Sequence, residues 1–389
     1  MGKKHVCIIS DESYLNGTFR TGVGEVVDSL AVALRKNGYF TTLILPGSTA
    51  GKVSGKTDGT VRVDVAGDTF WRVSAAVVND IAPDAVICFN EPATIDHLAF
   101  DGKKVFLFDA MGDVQGKEEY LPKWDAVATM SPNYAKEIMN AGGALADTLS
   151  ECDFRGVLLG LWDGLYSGNH ITPSAEWKER YGIPDGRAIL LIQCRLTEAK
   201  GIDWVLDDID DILDAGAWLV VYGIGDTDIE ERLQQCDDAG KLTYFHRMAD
   251  YDSIRNWMRH ADFFLSPSRS EVCGLMPMKA SLYGCVPIIR PIGGLANNFD
   301  ETNAIVVSGE DVGEAVRRAV EIWQDEQAME SLRKTAQNRD FGWKSRMRPL
   351  LEMCGLPMPE ELPVEPSISV EPVDLTTKKV SPFAVKKGG

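Results

Sequence analysis

Short apolar runs alternate with segments of helical periodicity along almost the whole chain, and this rhythm restricts the fold more than any other feature. In the first half the strand-like runs are HVCIIS (5–10), FTTLILP (40–46), VRVDVA (61–66), DAVICF (84–89), KVFLFD (104–109) and WDAVATM (124–130). The second half repeats the pattern with AILLIQC (188–194), WLVVYG (218–223), LTYFHR (242–247), ADFFLSPS (261–268), CVPIIR (285–290) and AIVVSG (304–309). Runs this continuous in Val, Ile, Leu and Phe suit strands buried on both faces, which means parallel sheets covered by helices. Helical periodicity shows most clearly in GEVVDSLAVALRKNG (24–38) and NYAKEIMNAG (133–142). The expectation is an α/β protein of two doubly wound, Rossmann-like units facing each other across a cleft.

The turn-rich stretch 155–172 marks the join, so the expected units are 1–158 and 159–340. A single helix over 341–355 is expected to complete the first unit, and the Pro-rich 356–389 reads as an extended tail.

Composition narrows the chemistry. Eight cysteines are scattered without a C-x-x-C pair, and five histidines are isolated, so neither a disulfide framework nor a metal site is expected. A reducing cytoplasm is the expected compartment. The chain enters its first strand-like run at once, and no apolar run is long enough to span a bilayer, so no leader and no membrane segment are expected. A net charge of −18 lowers the expectation of nucleic acid as a partner, though a local basic cleft is compatible with it.

In a doubly wound sheet the informative residues follow the strands' carboxyl ends. Arg195 and Lys200 stand after AILLIQC, where an arginine fork and a lysine point charge suit a diphosphate. Gly223 and Gly225 form a turn after WLVVYG that permits close backbone approach. In SRSEVCGLMPMKASLYG (268–284), Glu271 precedes Cys273-Gly274-Leu275, where a helix N-terminus can receive an anion. Gly293 and Gly294 make a further turn downstream. Cys273 as a nucleophile lacks a histidine nearby, so a helix start explains its position better.

These blocks resemble the bacterial glycogen and starch synthases, retaining glucosyltransferases of the GT-B fold. The resemblance rests on RLTEAKGIDWVLDDIDDIL, VVYGIGDTDIEERL, SPNYAKEI and ADFFLSPSRSEVCGLMPMKASLYGCVPIIRPIGGLA, in that family's order and spacing apart from the earlier SPNYAKEI, and spans about 156 to 351. In the first half, FRTGVGEVVDSLAVALRKNGYFTTLILP is similar to the family's opening Lys-Thr-Gly-Gly motif, with Arg20 in the lysine's position. The resemblance implies glucose transfer from ADP- or UDP-glucose to a glycan or other hydroxyl acceptor, with no metal or other cofactor. It implies that Arg195 and Lys200 bind the diphosphate, that Glu271 holds sugar hydroxyls, and that the Cys273–Leu275 turn meets phosphate or sugar. Arg20, Thr21 and Gly22 would approach from the first unit.

The sequence also departs from the family. Asp109 stands roughly where the family has a histidine, Leu159 where it has the asparagine of an Asn-Gly motif, and Met276 where it has a threonine. The first unit is shorter than the family's. The donor side is kept while the acceptor side changes, which implies the same reaction on another acceptor or with a different sugar. A transferase acting on a modified DNA base, as some phages encode, and a catalytically silent nucleotide-sugar binder are the alternatives. Three other readings are weaker. GVGEVV (22–27) lacks the third glycine of a dinucleotide fingerprint, and nothing in the sequence fixes the spacing of Asp109 and Asp113 as a hydrolase pair. The Asp-x-Asp in DDIDD (207–211) falls on one amphipathic helix with Ile202, Val205, Leu206, Ile209 and Leu213 on its apolar face, and Asp226 reads as a helix cap.

Overall fold

A computed structural model describes residues 3–13, 22–47, 53–57, 59–63, 67–162 and 164–358. Arg20, Thr21 and the tail beyond 358 lie outside the described residues.

Eight strands form the first sheet: β1 (His5–Ile9), β2 (Phe40–Pro46), β3 (Val53–Thr57), β4 (Thr60–Val63), β5 (Ala85–Phe89), β6 (Lys103–Phe108), β7 (Ala126–Thr129) and β8 (Phe154–Gly156). Six form the second: β9 (Ala188–Gln193), β10 (Ala217–Tyr222), β11 (Thr243–Phe245), β12 (Phe263–Ser266), β13 (Val286–Ile289) and β14 (Ile305–Val306). Their spatial orders are β3-β4-β2-β1-β5-β6-β7-β8 and β11-β10-β9-β12-β13-β14. All pairings are parallel except β3 with β4. The antiparallel β3 is a difference from the all-parallel expectation, and it sits at an edge, where such a strand is tolerated.

The cause of the parallel arrangement is burial on both faces. Val6, Cys7, Ile8 and Ile9 are all fully buried, with alternate residues entering different cores. Each large apolar side chain removed from water contributes about 1.5–3 kcal/mol before its entropy cost. The helix Val23–Lys36 covers one face with Val23, Val26, Val27, Leu30, Ala31 and Leu34, at helical spacing.

Each sheet reverses its strand order once. The switch lies between β1 and β5 in the first sheet and between β9 and β12 in the second. Loops leaving those adjacent strands diverge to opposite sides and open a crevice at their carboxyl ends.

The predicted helix over 341–355 is two short helices, Trp343–Arg346 and Arg348–Met353. Pro349 explains the break, because its ring is incompatible with an uninterrupted helix and disfavours helical geometry just before it. This segment returns to the first sheet's layer: Trp343 Nε1 donates to Ser29 Oγ at 2.8 Å. Packing continues past the expected start of the tail, since Leu356 and Met358 are buried and Tyr39 donates to the Pro357 carbonyl. The predicted helix carrying DDIDD is likewise split, into Ile202–Asp207 and Ile209–Asp214. Asp208 at the break accepts from Gly313 N at 2.9 Å, so a tertiary bond interrupts the local periodicity. Leu213 is only half-buried, and Ile212 takes the buried place.

Candidate active site

The second sheet's switch point collects the cationic and acidic residues singled out in the sequence. Arg195 and Lys200 follow β9, while Ser268 and Glu271 follow the adjacent β12. Lys200 Nζ donates to Glu271 Oε2 at 2.7 Å, and Ser268 Oγ approaches the same oxygen at 3.4 Å. Burial pulls the Lys200 ammonium down, but the Glu271 carboxylate outweighs it and the ammonium stays charged. Arg195 is exposed on the same loop, near enough for its charge to act on Lys200.

Gly274, at φ 83°, caps the helix Leu275–Leu282. Its conformation favours glycine, and an added Cβ would lie 2.5 Å from Leu295 Cδ2. The helix carries no side-chain cap, and its first-turn amides at Leu275 and Met276 have no intrahelical partner. Cys273 beside them is buried, and burial pushes its thiol up to about 12, which removes it as a nucleophile.

At the remaining glycines the chain's own backbone and side chains make the close approach. Gly293 N donates to Glu137 Oε1 at 2.7 Å, and Gly294 N donates to the Glu271 carbonyl at 3.0 Å. Gly225 N donates to Glu230 Oε1 at 2.7 Å. A Cβ on Gly223 would meet Leu196 Cδ2 at 2.7 Å, and one on Gly225 would meet the Leu196 carbonyl at 2.2 Å. These glycines let the loops bearing Arg195 and Glu271 pack closely, so they shape the site through the protein's own backbone. Asp226 stands at the helix start as expected, but its side chain makes no capping bond.

The first sheet contributes the facing wall. Asp109 follows β6, and its amide donates to Asn90 Oδ1 at 3.1 Å. Asn90, in the left-handed region at φ 63°, ends β5 at that sheet's own switch point. Burial, then the carboxylates of Asp113 and Glu271, push the Asp109 carboxyl up to about 7, with Lys200 opposing them. Asp113 is tied locally, accepting from Ala110 N at 2.7 Å. Gly22 touches the opposite unit: a Cβ there would lie 2.8 Å from Leu275 Cδ1.

Sequence reasoning missed the residues that join the walls. Glu25, in the first turn of Val23–Lys36, accepts from both Lys279 and Tyr166. Asn133 N donates to Asn297 Oδ1 at 2.8 Å. Asn298 Nδ2 donates to the Cys273 carbonyl at 2.9 Å and fixes the turn before Gly274. All these bonds join parts of the chain well separated in sequence, and no local pattern signals them.

Known proteins are similar to both units of the chain. Residues 173–339, which hold the second sheet and its switch point, match the family model described as glycosyl transferases group 1. Two glycogen synthases are similar in sequence. That of Actinobacillus pleuropneumoniae serotype 5b (strain L20) is 29% identical over 261 residues, covering 56% of this chain and 54% of the relative. That of Actinobacillus succinogenes is 26% identical over 343 residues, 71% of each chain. The chain spans about half the length of the first curated relatives it matches. The catalytic domain of starch synthase IV from Arabidopsis thaliana, bound to ADP and acarbose, has a TM-score of 0.75 at 19% identity, over 91% of this chain and 99% of that one. The fold is that of the GT-B glycosyltransferases, and the second unit is similar to group 1 glycosyl transferases.

In this fold the wall built on β1, β5 and β6 faces the wall built on β9 and β12, as the Glu25–Lys279 pair shows. Leu159 is buried and its carbonyl accepts from Arg346 Nη1 at 2.8 Å, so the position serves the crossover between sheets.

Proposed function

We propose that the chain is a retaining glycosyltransferase that moves glucose, or a similar hexose, from ADP- or UDP-glucose to a hydroxyl acceptor. The observation that carries this reading is the Lys200–Glu271 pair at the second sheet's switch point, within the segment that matches group 1 glycosyl transferases. Arg195 and Lys200 would neutralise the diphosphate as it leaves, supplying charge stabilisation that grows toward the transition state. Glu271 would accept bonds from donor hydroxyls once Lys200 turns to phosphate. The free amides of Leu275 and Met276 would receive a phosphate or sugar oxygen. Gly22, with its neighbours Thr21 and Arg20, would close on the donor from the first unit.

With retention, the acceptor hydroxyl enters on the face from which the diphosphate departs, and a departing phosphate oxygen takes its proton. Asp109 would contact the sugar or the acceptor from the facing wall. Its carboxyl, titrating near 7, can both donate and accept a hydrogen bond at neutral pH.

The experiment is nucleoside diphosphate release from ADP-glucose and UDP-glucose, with and without maltooligosaccharide, followed by NMR of the product's anomeric configuration. Acceptor-stimulated release with an α-linked product supports the proposal. An inverted product overturns the retaining mechanism, and release from neither donor overturns the glucosyltransferase reading.

A further inference from the structure

The Lys200–Glu271 pair spans two loops that have no shared strand contact beyond the ends of β9 and β12, so something must fix their separation. Arg269 occupies the junction. Its Nη1 donates to the Glu198 carbonyl at 2.7 Å and to Asp203 Oδ1 at 2.6 Å, while Nη2 donates to Asp203 Oδ2 at 2.5 Å. The guanidinium carbon also lies 3.7 Å from the centre of the Trp204 ring. On the backbone, Arg269 N and Ser270 N both donate to the Ala199 carbonyl, at 2.8 and 3.2 Å. Gly201 closes the same seam, because a Cβ there would meet the Pro267 carbonyl at 2.5 Å. The Arg269 bond holds the Asp203 carboxyl below the ordinary carboxylate range.

These bonds flank the two charged residues. Ala199 and Gly201 bracket Lys200, and Ser270 immediately precedes Glu271. A planar fork that binds a carboxylate with both arms and stacks on an indole fixes direction as well as distance, which a lysine cannot do.

We propose that Arg269 is a positioning residue for the Lys200–Glu271 pair, zipping the 198–204 loop onto the 267–271 loop so that cation and carboxylate meet in one geometry. Its consequence for turnover rests on the proposed donor-handling role of that pair. Arg269 itself touches Asp203, Glu198 and Trp204 and acts through them.

The test uses Arg269→Lys and Asp203→Asn in the full chain, with Arg232→Ala as a comparator that breaks the exposed Arg232–Asp207 pair on the neighbouring surface. Two readouts are taken: amide hydrogen exchange across 196–204 and 267–273, and kcat against KM for ADP-glucose or UDP-glucose. The expected result is exchange at least about ten-fold faster in both loops for Arg269→Lys and Asp203→Asn. The kcat should fall about 10–100-fold, as a misplacement near 1 Å produces, while KM changes less than about three-fold and Arg232→Ala stays at wild type. Unchanged protection in both loops, or a fall in kcat matched by Arg232→Ala, overturns the proposal. If the wild-type chain turns over neither donor, the proposed function fails separately, and the exchange readout alone decides whether Arg269 zips the loops.

Discussion

Lys200 and Glu271 are 71 residues apart in sequence, and their side chains meet at 2.7 Å with 22% and 17% of each exposed. In this state the cation and the carboxylate satisfy each other, so under the proposed function a diphosphate would draw Lys200 away and leave Glu271 for sugar hydroxyls. Lys200→Ala is expected to slow diphosphate release about 10²–10³-fold, the usual loss when one preorganised electrostatic group is removed. It should also destabilise the fold by about 2 kcal/mol, because Glu271 then sits partly buried without its partner. Steady-state kinetics and urea unfolding of the variant check both.

The Asp109 carboxyl gives a pH signature with a definite sign. Its folded value of about 7 lies above the unfolded carboxylate value of about 3.9. Between those values the folded chain retains a proton that the unfolded chain releases, so this group's contribution is complete below about pH 4 and is lost as pH rises through 7. Asp109→Asn should therefore stabilise the chain on the order of 2 kcal/mol at pH 8 and leave it unchanged near pH 4. Urea midpoints at several pH values measure this, and an equal effect at all pH values would count against the assignment.

Glu25 and Lys279 clasp the two walls of the cleft, each side chain only 14% exposed, with Tyr166 as a second donor to Glu25. Glu25→Ala and Lys279→Ala are each expected to cost about 2–3 kcal/mol, since each leaves the other buried and unpaired. The double variant should cost less than the sum of the two. A double-mutant cycle by urea unfolding tests this, and strict additivity would show that the two residues do not act as a pair.

Gly293 combines a φ of 42° with a Cβ direction that runs into the Glu271 carbonyl at 1.8 Å. Gly112 has open space at the same place and no positive φ. Gly293→Ala should cost at least about 3 kcal/mol and disturb the Glu271 turn, whereas Gly112→Ala should stay within about 0.5 kcal/mol of wild type. Thermal unfolding of the pair compares them directly.

What was legible in the sequence followed from local physics. Runs such as AVICF and AILLIQ are buried on both faces, and their apolar continuity announced it. The Arg195, Lys200 and Glu271 positions were legible because they follow such runs, and the switch point then brings their loops together. The strand VSGKT was missed because its residues carry no apolar pattern, and pairing with β4 makes it a strand. The breaks at Asp208 and before Pro349 were missed for opposite reasons, one a distant amide at Gly313, the other a local ring whose effect periodicity concealed. Arg269 and Glu25 were invisible because their partners lie 66 and 254 residues away. The close approach expected at Gly223, Gly225, Gly293 and Gly294 was legible, but that Leu196, Glu271 and Cys273 are what approach was not.

Under the proposed function, the loop after β9 carries the cations that support departure of a nucleoside diphosphate. The measurement that tests it most directly is the rate of diphosphate release from ADP-glucose and UDP-glucose by wild type and by Arg195→Ala. Arg195 is exposed, and its side chain can be removed with little effect on folding. Release by the wild-type chain is expected to fall at least about 100-fold in the variant at unchanged thermal stability. Equal release by the two proteins would contradict it.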